Sequence, residues 1–136
     1  AKRDLKKGRT SPAVERLIEC NILLSGVGFE SGGLALAHAI ANGLTILPEC
    51  KAMHGEAVAF GLVMQLRLER APELDQVLEF CQRVGLPTTL EELGLGEISD
   101  ADLQGVANAV FRNERNMANE QAKVTRQKLV RLMCEA

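Results

Sequence analysis

The chain contains two histidines, His38 and His54, which lie among small and apolar residues. Imidazole is a common zinc ligand, but a lone histidine on an apolar helix is more often a hydrogen-bonded core residue. Pro48 stands between the two histidines, so they do not share one face of a single helix. They meet only if two helices pack together. The residues alone leave a metal site and an ordinary core role both open.

A metal site here would need further ligands. Catalytic zinc usually has three protein ligands and one open position. The sequence "HGE" at 54–56 lacks the second histidine that the HExxH pattern of zinc proteases requires. None of the nearest candidates for a third ligand has a characteristic spacing. They are Glu30, Glu49, Cys50 and Glu56.

The glycines of "SGVGFESGG", residues 25–33, suggest a dinucleotide site at first sight. The G-x-G-x-x-G fingerprint needs two residues between its second and third glycines and a strand before it. Here Phe29, Glu30 and Ser31 intervene, and the preceding segment is predicted to be helical. The segment therefore favours a turn between helices, where glycine permits a positive φ.

Apolar residues recur at three- and four-residue spacing along the chain, and no segment alternates as a strand does. Ser11 and Pro12 predict a helix start, and Gly26 predicts its end. Two central helices are apolar on most sides, as buried helices are. The pattern predicts an all-α bundle of about five to seven helices. Beyond the first, they cover about 31–43, 54–69, 72–85, 99–113 and 125 onward, with 114–123 irregular.

The composition excludes several classes of function. A net charge of −2 provides no global basic field for nucleic acid. The basic residues of segment 1–10 indicate a solvated helix end or frayed terminus, with a partner patch as the alternative. Four cysteines without a CxxC pair predict reduced core residues of a cytoplasmic protein. No membrane association is expected, because no uncharged apolar run reaches the length of a span.

The central motifs resemble a known family. "GFESGG", "AHAIANGLT" and "HGEAVAFG" are similar to the C-terminal half of glycerol dehydrogenases, in the iron-containing alcohol dehydrogenase superfamily. "VGLPTTLEELGL" and "NERNM" match more loosely, so the resemblance covers about residues 11 to 130. It implies the all-helical C-terminal domain of dehydroquinate synthase-like and glycerol dehydrogenases. In the family, an N-terminal α/β domain binds NAD.

The resemblance also implies a reaction. These enzymes oxidise glycerol to dihydroxyacetone by hydride transfer to NAD, and a zinc ion polarises the hydroxyl group. By motif, His38 and His54 match two of the three zinc ligands. Phe29 matches a cofactor-binding position that lines the cleft near the nicotinamide, and no catalytic residue is carried over. A small polyol is the implied substrate, and a homo-oligomer is expected.

This sequence departs from the family at the third ligand. The family's aspartate lies many tens of residues before the first histidine, whereas Asp4 is the only aspartate before His38 in this sequence. We therefore expect a basic segment 1–10 and a helical metal-binding domain 11–136, without the NAD-binding domain. The isolated chain is then expected to be inactive unless a separate N-terminal half complements it. The alternative is a truncated, non-catalytic helical module that docks onto a partner or self-associates.

Overall fold

The computed structural model describes residues 1–135, which contain eight helices and no strand. The predicted all-α class is confirmed. The helix count exceeds the predicted five to seven because α1 and α7 have only four and five residues, too short to show periodicity. In chain order the helices are α1 Lys2–Leu5, α2 Pro12–Gly32, α3 Leu36–Leu44, α4 His54–Glu69, α5 Leu74–Val84, α6 Asp100–Arg112, α7 Glu114–Ala118 and α8 Arg126–Cys134.

The chain divides into two compact units, of which the first is Ala1–Gly33. Its helix α2 begins as predicted, because the Ser11 hydroxyl accepts a hydrogen bond from the Val14 amide. The predicted end near Gly26 is wrong, since α2 continues to Gly32. A glycine inside a helix costs only about 1 kcal/mol relative to alanine and does not by itself stop the helix. The helix ends where Gly33 adopts a φ of 69°.

The second unit runs from Leu34 through the remaining described residues. Helix α3 packs against α4 and α6, while α8 packs against α6 and α4. Burial of the apolar faces of these helices forms the core and is the main favourable term in folding. The largest fully buried side chains are Phe60, Leu36, Ile40, Leu44, Met64, Leu129, Met133, Val63, Val106 and Val110.

Most predicted helix ends of the second unit match the structure. Helix α4 has the predicted bounds, and Gly85 ends α5 with a φ of 82°. The hydroxyl groups of Ser99 and Thr125 cap α6 and α8, as their positions predicted. Two helices begin later than predicted. Helix α3 begins at Leu36 because α2 continues to Gly32 and ends at Gly33, and α5 begins at Leu74 instead of Pro72. The predicted irregular segment 114–123 includes α7.

The cysteines only partly follow the prediction of core positions. Cys81 is buried and Cys50 is partly buried, but Cys20 and Cys134 are exposed. All four are free thiols. The prediction is wrong for the exposed pair because an apolar sequence neighbourhood does not fix which face of a helix a residue occupies.

Within residues 1–135, no single helix is long and apolar enough to cross a membrane. Helices α2 and α3 pass that test of length and composition only as a bent pair.

Candidate metal site

His38 and His54 lie side by side in the second unit. His38 is the third residue of α3, and His54 is the first residue of α4. Because these two helices pack against each other, the imidazole ring centres lie 5.8 Å apart, with the ring planes tilted by 52°. His38 is partly buried and His54 is exposed. The structure therefore brings together the two predicted ligands, which the chain places in different helices.

The separation of the rings suits one metal ion. Zinc–nitrogen bonds of about 2.0–2.1 Å and a tetrahedral angle place the centres of two coordinated imidazoles about 5.2 Å apart, so the observed separation lies within about 0.6 Å of that value. Among residues 1–135, no hydrogen bond engages either imidazole, so their nitrogens are open to a ligand. Burial, and then the nearby His54, lower the pKa of His38 below its ordinary value of 6.5. A lower pKa favours the neutral imidazole, which is the form that binds metal.

The described residues do not provide a third ligand. None of their histidine, cysteine, aspartate and glutamate side chains form a group of three or more that could hold a metal ion. The Glu56 carboxylate accepts a hydrogen bond of 2.7 Å from the Met53 amide and so caps the start of α4. Cys50 packs against the hydrophobic core, and Glu49 is exposed. The two imidazoles thus fit as two members of a zinc donor set.

Phe29, the predicted cofactor-binding residue, lies near the end of α2 in the first unit. About half of it is exposed, with a relative accessibility of 51%. Glu30, one of the candidate third ligands in the sequence, is exposed on the same helix. The role of Phe29 stays a prediction that rests on its motif.

Two residues that were not singled out from the sequence contact the backbone beside His38. Gln65 in α4 accepts a hydrogen bond of 3.0 Å from the Ala37 amide through its side-chain oxygen. Gly61, one turn earlier in α4, lies so close that a Cβ there would overlap the carbonyl oxygen of Ala37. The sequence signal was a polar residue four positions after a glycine in an otherwise apolar helix.

Acidic side chains lie close to this contact. The Gln65 side-chain amide donates a hydrogen bond of 2.8 Å to the Glu69 carboxylate. Glu120 accepts a hydrogen bond from the Ala122 amide, while its second carboxylate oxygen is buried without a partner among the described residues. Burial, and to a lesser degree the charge of Glu69, raise the pKa of Glu120.

A cavity of about 490 Å³ lies beside the start of α4, but neither histidine lines it. Its charged groups are engaged in local hydrogen bonds. The Lys51 ammonium donates to the Pro48 carbonyl at 2.6 Å, and the Glu92 carboxylate accepts from the Thr88 amide at 2.6 Å. Backbone and side-chain hydrogen bonds from Thr88 lower the pKa of Glu92. These contacts indicate a structural role for the charged groups of this cavity.

Comparison with known proteins identifies close relatives. A scan against protein-family models gives no match. Glycerol dehydrogenase from Thermotoga maritima is 48% identical over 128 residues, which cover 92% of this chain and 35% of the relative. Glycerol dehydrogenase from Citrobacter freundii is 49% identical over 121 residues, covering 87% of this chain and 33% of that protein.

A solved structure agrees with these matches. The crystal structure of a probable glycerol dehydrogenase from Sinorhizobium meliloti superposes with a TM-score of 0.90 at 38% identity. The match covers 98% of this chain and 39% of the solved chain. This chain therefore spans about a third of the length of the curated relatives it matches. Through that region, with its all-helical fold and its motifs around His38 and His54, the chain belongs to the glycerol dehydrogenase family.

Proposed function

We propose that residues 11–136 form the helical metal-binding domain of an NAD-dependent glycerol dehydrogenase, and that His38 and His54 bind its zinc ion. The observation that carries this proposal is the 5.8 Å separation of the two imidazole rings. The relative from Thermotoga maritima, 48% identical, is named a glycerol dehydrogenase. Residues 1–10 are the basic segment that precedes this domain, and Ala136 lies outside the described residues.

The two imidazoles would act as neutral nitrogen donors to the ion. When bound, zinc supplies Lewis-acid chemistry that lowers the pKa of an alcohol hydroxyl. The third ligand, an aspartate by resemblance, and the NAD site come from the part of the relatives that this chain does not span. By its motif, Phe29 lines the cleft near the nicotinamide and the substrate. The substrate is glycerol or a similar small polyol, and the full enzyme is a cytoplasmic homo-oligomer.

An activity assay tests whether turnover requires both this chain and the remaining part of the enzyme. The 136-residue chain, loaded with zinc, is mixed with glycerol and NAD, and NADH formation is followed. We expect no turnover by the chain alone. We expect turnover when a polypeptide carrying the remaining N-terminal part of the Thermotoga maritima relative is added. Robust activity of the chain alone would show that the other part is not required.

The exposed side chains of α2 favour a second candidate function, self-association through this helix. Ile22 and Leu24 have relative accessibilities of 69% and 67%, and several further large apolar residues of α2 are exposed. Contiguous exposed apolar surface on a soluble protein commonly marks an interface. In this alternative, the occupant of the surface is α2 of a second copy.

Sedimentation velocity over a range of concentrations tests this alternative. Self-association through α2 predicts a dimer that the substitution Ile22→Lys converts to a monomer. Leu5→Lys is the matched control, because Leu5 is an exposed apolar residue of α1 with an accessibility of 53%. A wild-type chain that stays monomeric at all concentrations would exclude self-association.

A further inference from the structure

The geometry points to Gln65 as a positioning residue that fixes the first turn of α3 and thereby holds His38 opposite His54. This inference deepens the proposed function and rests on it, because the orientation of His38 affects metal binding only if His38 is a ligand. Three observations carry the inference: the uncapped start of α3, the contact from Gln65, and the close approach of Gly61.

The start of α3 lacks a cap of its own. The first four amide groups of any helix have no partner within the helix, and a Ser, Thr, Asp or Asn side chain usually binds one of them. Here Ala35 occupies the capping position, where its methyl group cannot accept a hydrogen bond. Ala37 is the second residue of α3 and is buried, with a relative accessibility of 8%. Its amide therefore needs an acceptor from another part of the chain, because an unpaired buried amide is costly.

Gln65 supplies this acceptor from the adjacent helix. Its side-chain oxygen lies 3.0 Å from the Ala37 nitrogen, although 28 positions separate the two residues in the sequence. The side-chain amide of Gln65 is held in turn by Glu69, 2.8 Å away. This second contact fixes the orientation of the carboxamide, so that its oxygen points to α3. The residue immediately after Ala37 is His38.

Gly61 sets the distance between the two helices at the same place. A Cβ at Gly61 would lie 3.1 Å from the Cα atom of Ala37 and would overlap its carbonyl oxygen. Gly61, Gln65 and Glu69 recur every four residues and therefore lie on one face of α4. One face of α4 thus contacts Ala37 through packing and through a hydrogen bond. His54 begins α4, so the same helix that presents one histidine positions the other.

Three variants of the full chain test this inference without metal. Gln65→Leu removes both polar contacts at similar volume. The double substitution Gln65→Glu with Glu69→Gln exchanges the charged and neutral groups. The carboxylate at position 65 can then accept a hydrogen bond from the Ala37 amide, and the side-chain amide at position 69 can donate one to that carboxylate. Gln104→Leu, at an exposed position of α6, is the matched control. Two quantities are measured by NMR: amide hydrogen exchange at Ala37, and the nuclear Overhauser effect between ring protons of His38 and His54.

We expect the Ala37 amide to be protected from hydrogen exchange in the wild type. In Gln65→Leu it should exchange at least about tenfold faster, because a hydrogen bond of ordinary net strength contributes about that factor. The nuclear Overhauser effect between the rings of His38 and His54 should weaken in the same variant. The double variant should restore both, and the control should change neither. If Gln65→Leu does not fold, protection in the wild type and the double variant decides the question.

An unprotected Ala37 amide in the wild type would overturn the inference, and so would an unchanged signal between the rings in folded Gln65→Leu. A zinc titration separates this result from the proposed function. If the wild-type chain binds no zinc, the metal-site proposal fails, while the metal-free measurements still decide the role of Gln65. If the wild type binds zinc, Gln65→Leu should bind it about tenfold more weakly, and unchanged affinity would overturn the role of Gln65.

Discussion

The imidazole rings of His38 and His54 lie 5.8 Å apart, although one belongs to the first turn of α3 and the other begins α4. Their proximity depends on how closely these helices approach. A glycine and a glutamine of α4 contact the backbone beside His38, so the packing of the two helices and the geometry of the histidine pair are linked. Substitutions that alter this contact should therefore affect both the stability of the fold and the histidine pair.

Gly61→Ala should destabilise the chain, because the added Cβ would overlap the carbonyl oxygen of Ala37. Overpacking of this kind typically costs about 1–3 kcal/mol. The free energy of unfolding is measured by urea denaturation. Gly55→Ala in the same helix is the control, since a Cβ there meets nothing within 4 Å. It should be neutral or stabilise by up to about 1 kcal/mol. Equal effects of the two substitutions would contradict the close approach.

Glu120→Gln should stabilise the chain at neutral pH. Burial, and then the charge of Glu69, raise the pKa of Glu120 above its ordinary value of 4.5. A raised folded-state pKa favours folding below the ordinary value, and that contribution is lost as pH rises through the folded-state pKa. The gain from the substitution should therefore grow above about pH 4.5. We expect about 1 kcal/mol or less, because the carboxyl group is only partly buried.

Thermal unfolding of this variant between pH 4 and pH 7 measures the predicted gain. Glu114→Gln on α7 is the control, because Glu114 is an exposed glutamate. A stabilisation by Glu120→Gln that shrinks as pH rises would contradict the assigned direction of the pKa shift.

Zinc affinity should fall as the pH is lowered, because protons compete with zinc for the imidazole nitrogens. The affinity lost should approach about tenfold per pH unit for each ring that becomes protonated. Burial, and then His54, lower the pKa of His38 below 6.5, so the contribution from His38 begins below that value. Competition with a chromophoric chelator between pH 5 and pH 8 gives the profile. A profile without any pH dependence would exclude ligation by the histidines.

The fold was largely predictable because its helices carry clear local signals. The sequence predicts caps at Ser11, Ser99 and Thr125, and each hydroxyl accepts the expected hydrogen bond. The end of α2 is not predicted correctly. A glycine such as Gly26 lowers the stability of a helix, but by less free energy than continuing the helix contributes. The short helix α7 has too few residues for a periodic pattern.

The candidate site was only partly predictable. The motifs around His38 and His54 suggested a pair, but only the packing of α3 against α4 brings their rings together. Gln65 shows a polar residue on an apolar helix, yet its partner, the Ala37 amide, lies 28 positions earlier. The Ala37 amide needs that partner because the start of α3 has no side-chain cap. The sequence predicts the start of this helix near residue 31, before its actual start at Leu36.

Zinc titration of the metal-free chain, by calorimetry or chelator competition, tests the central claim most directly. We predict one zinc ion per wild-type chain and a loss of affinity of about tenfold or more in both His38→Ala and His54→Ala, because each substitution removes one of two donors. Cys50→Ser, the control, should bind as the wild type does, since Cys50 packs against the core. Wild-type affinity in either histidine variant, or no binding by the wild-type chain, would contradict the assignment of this pair as zinc ligands.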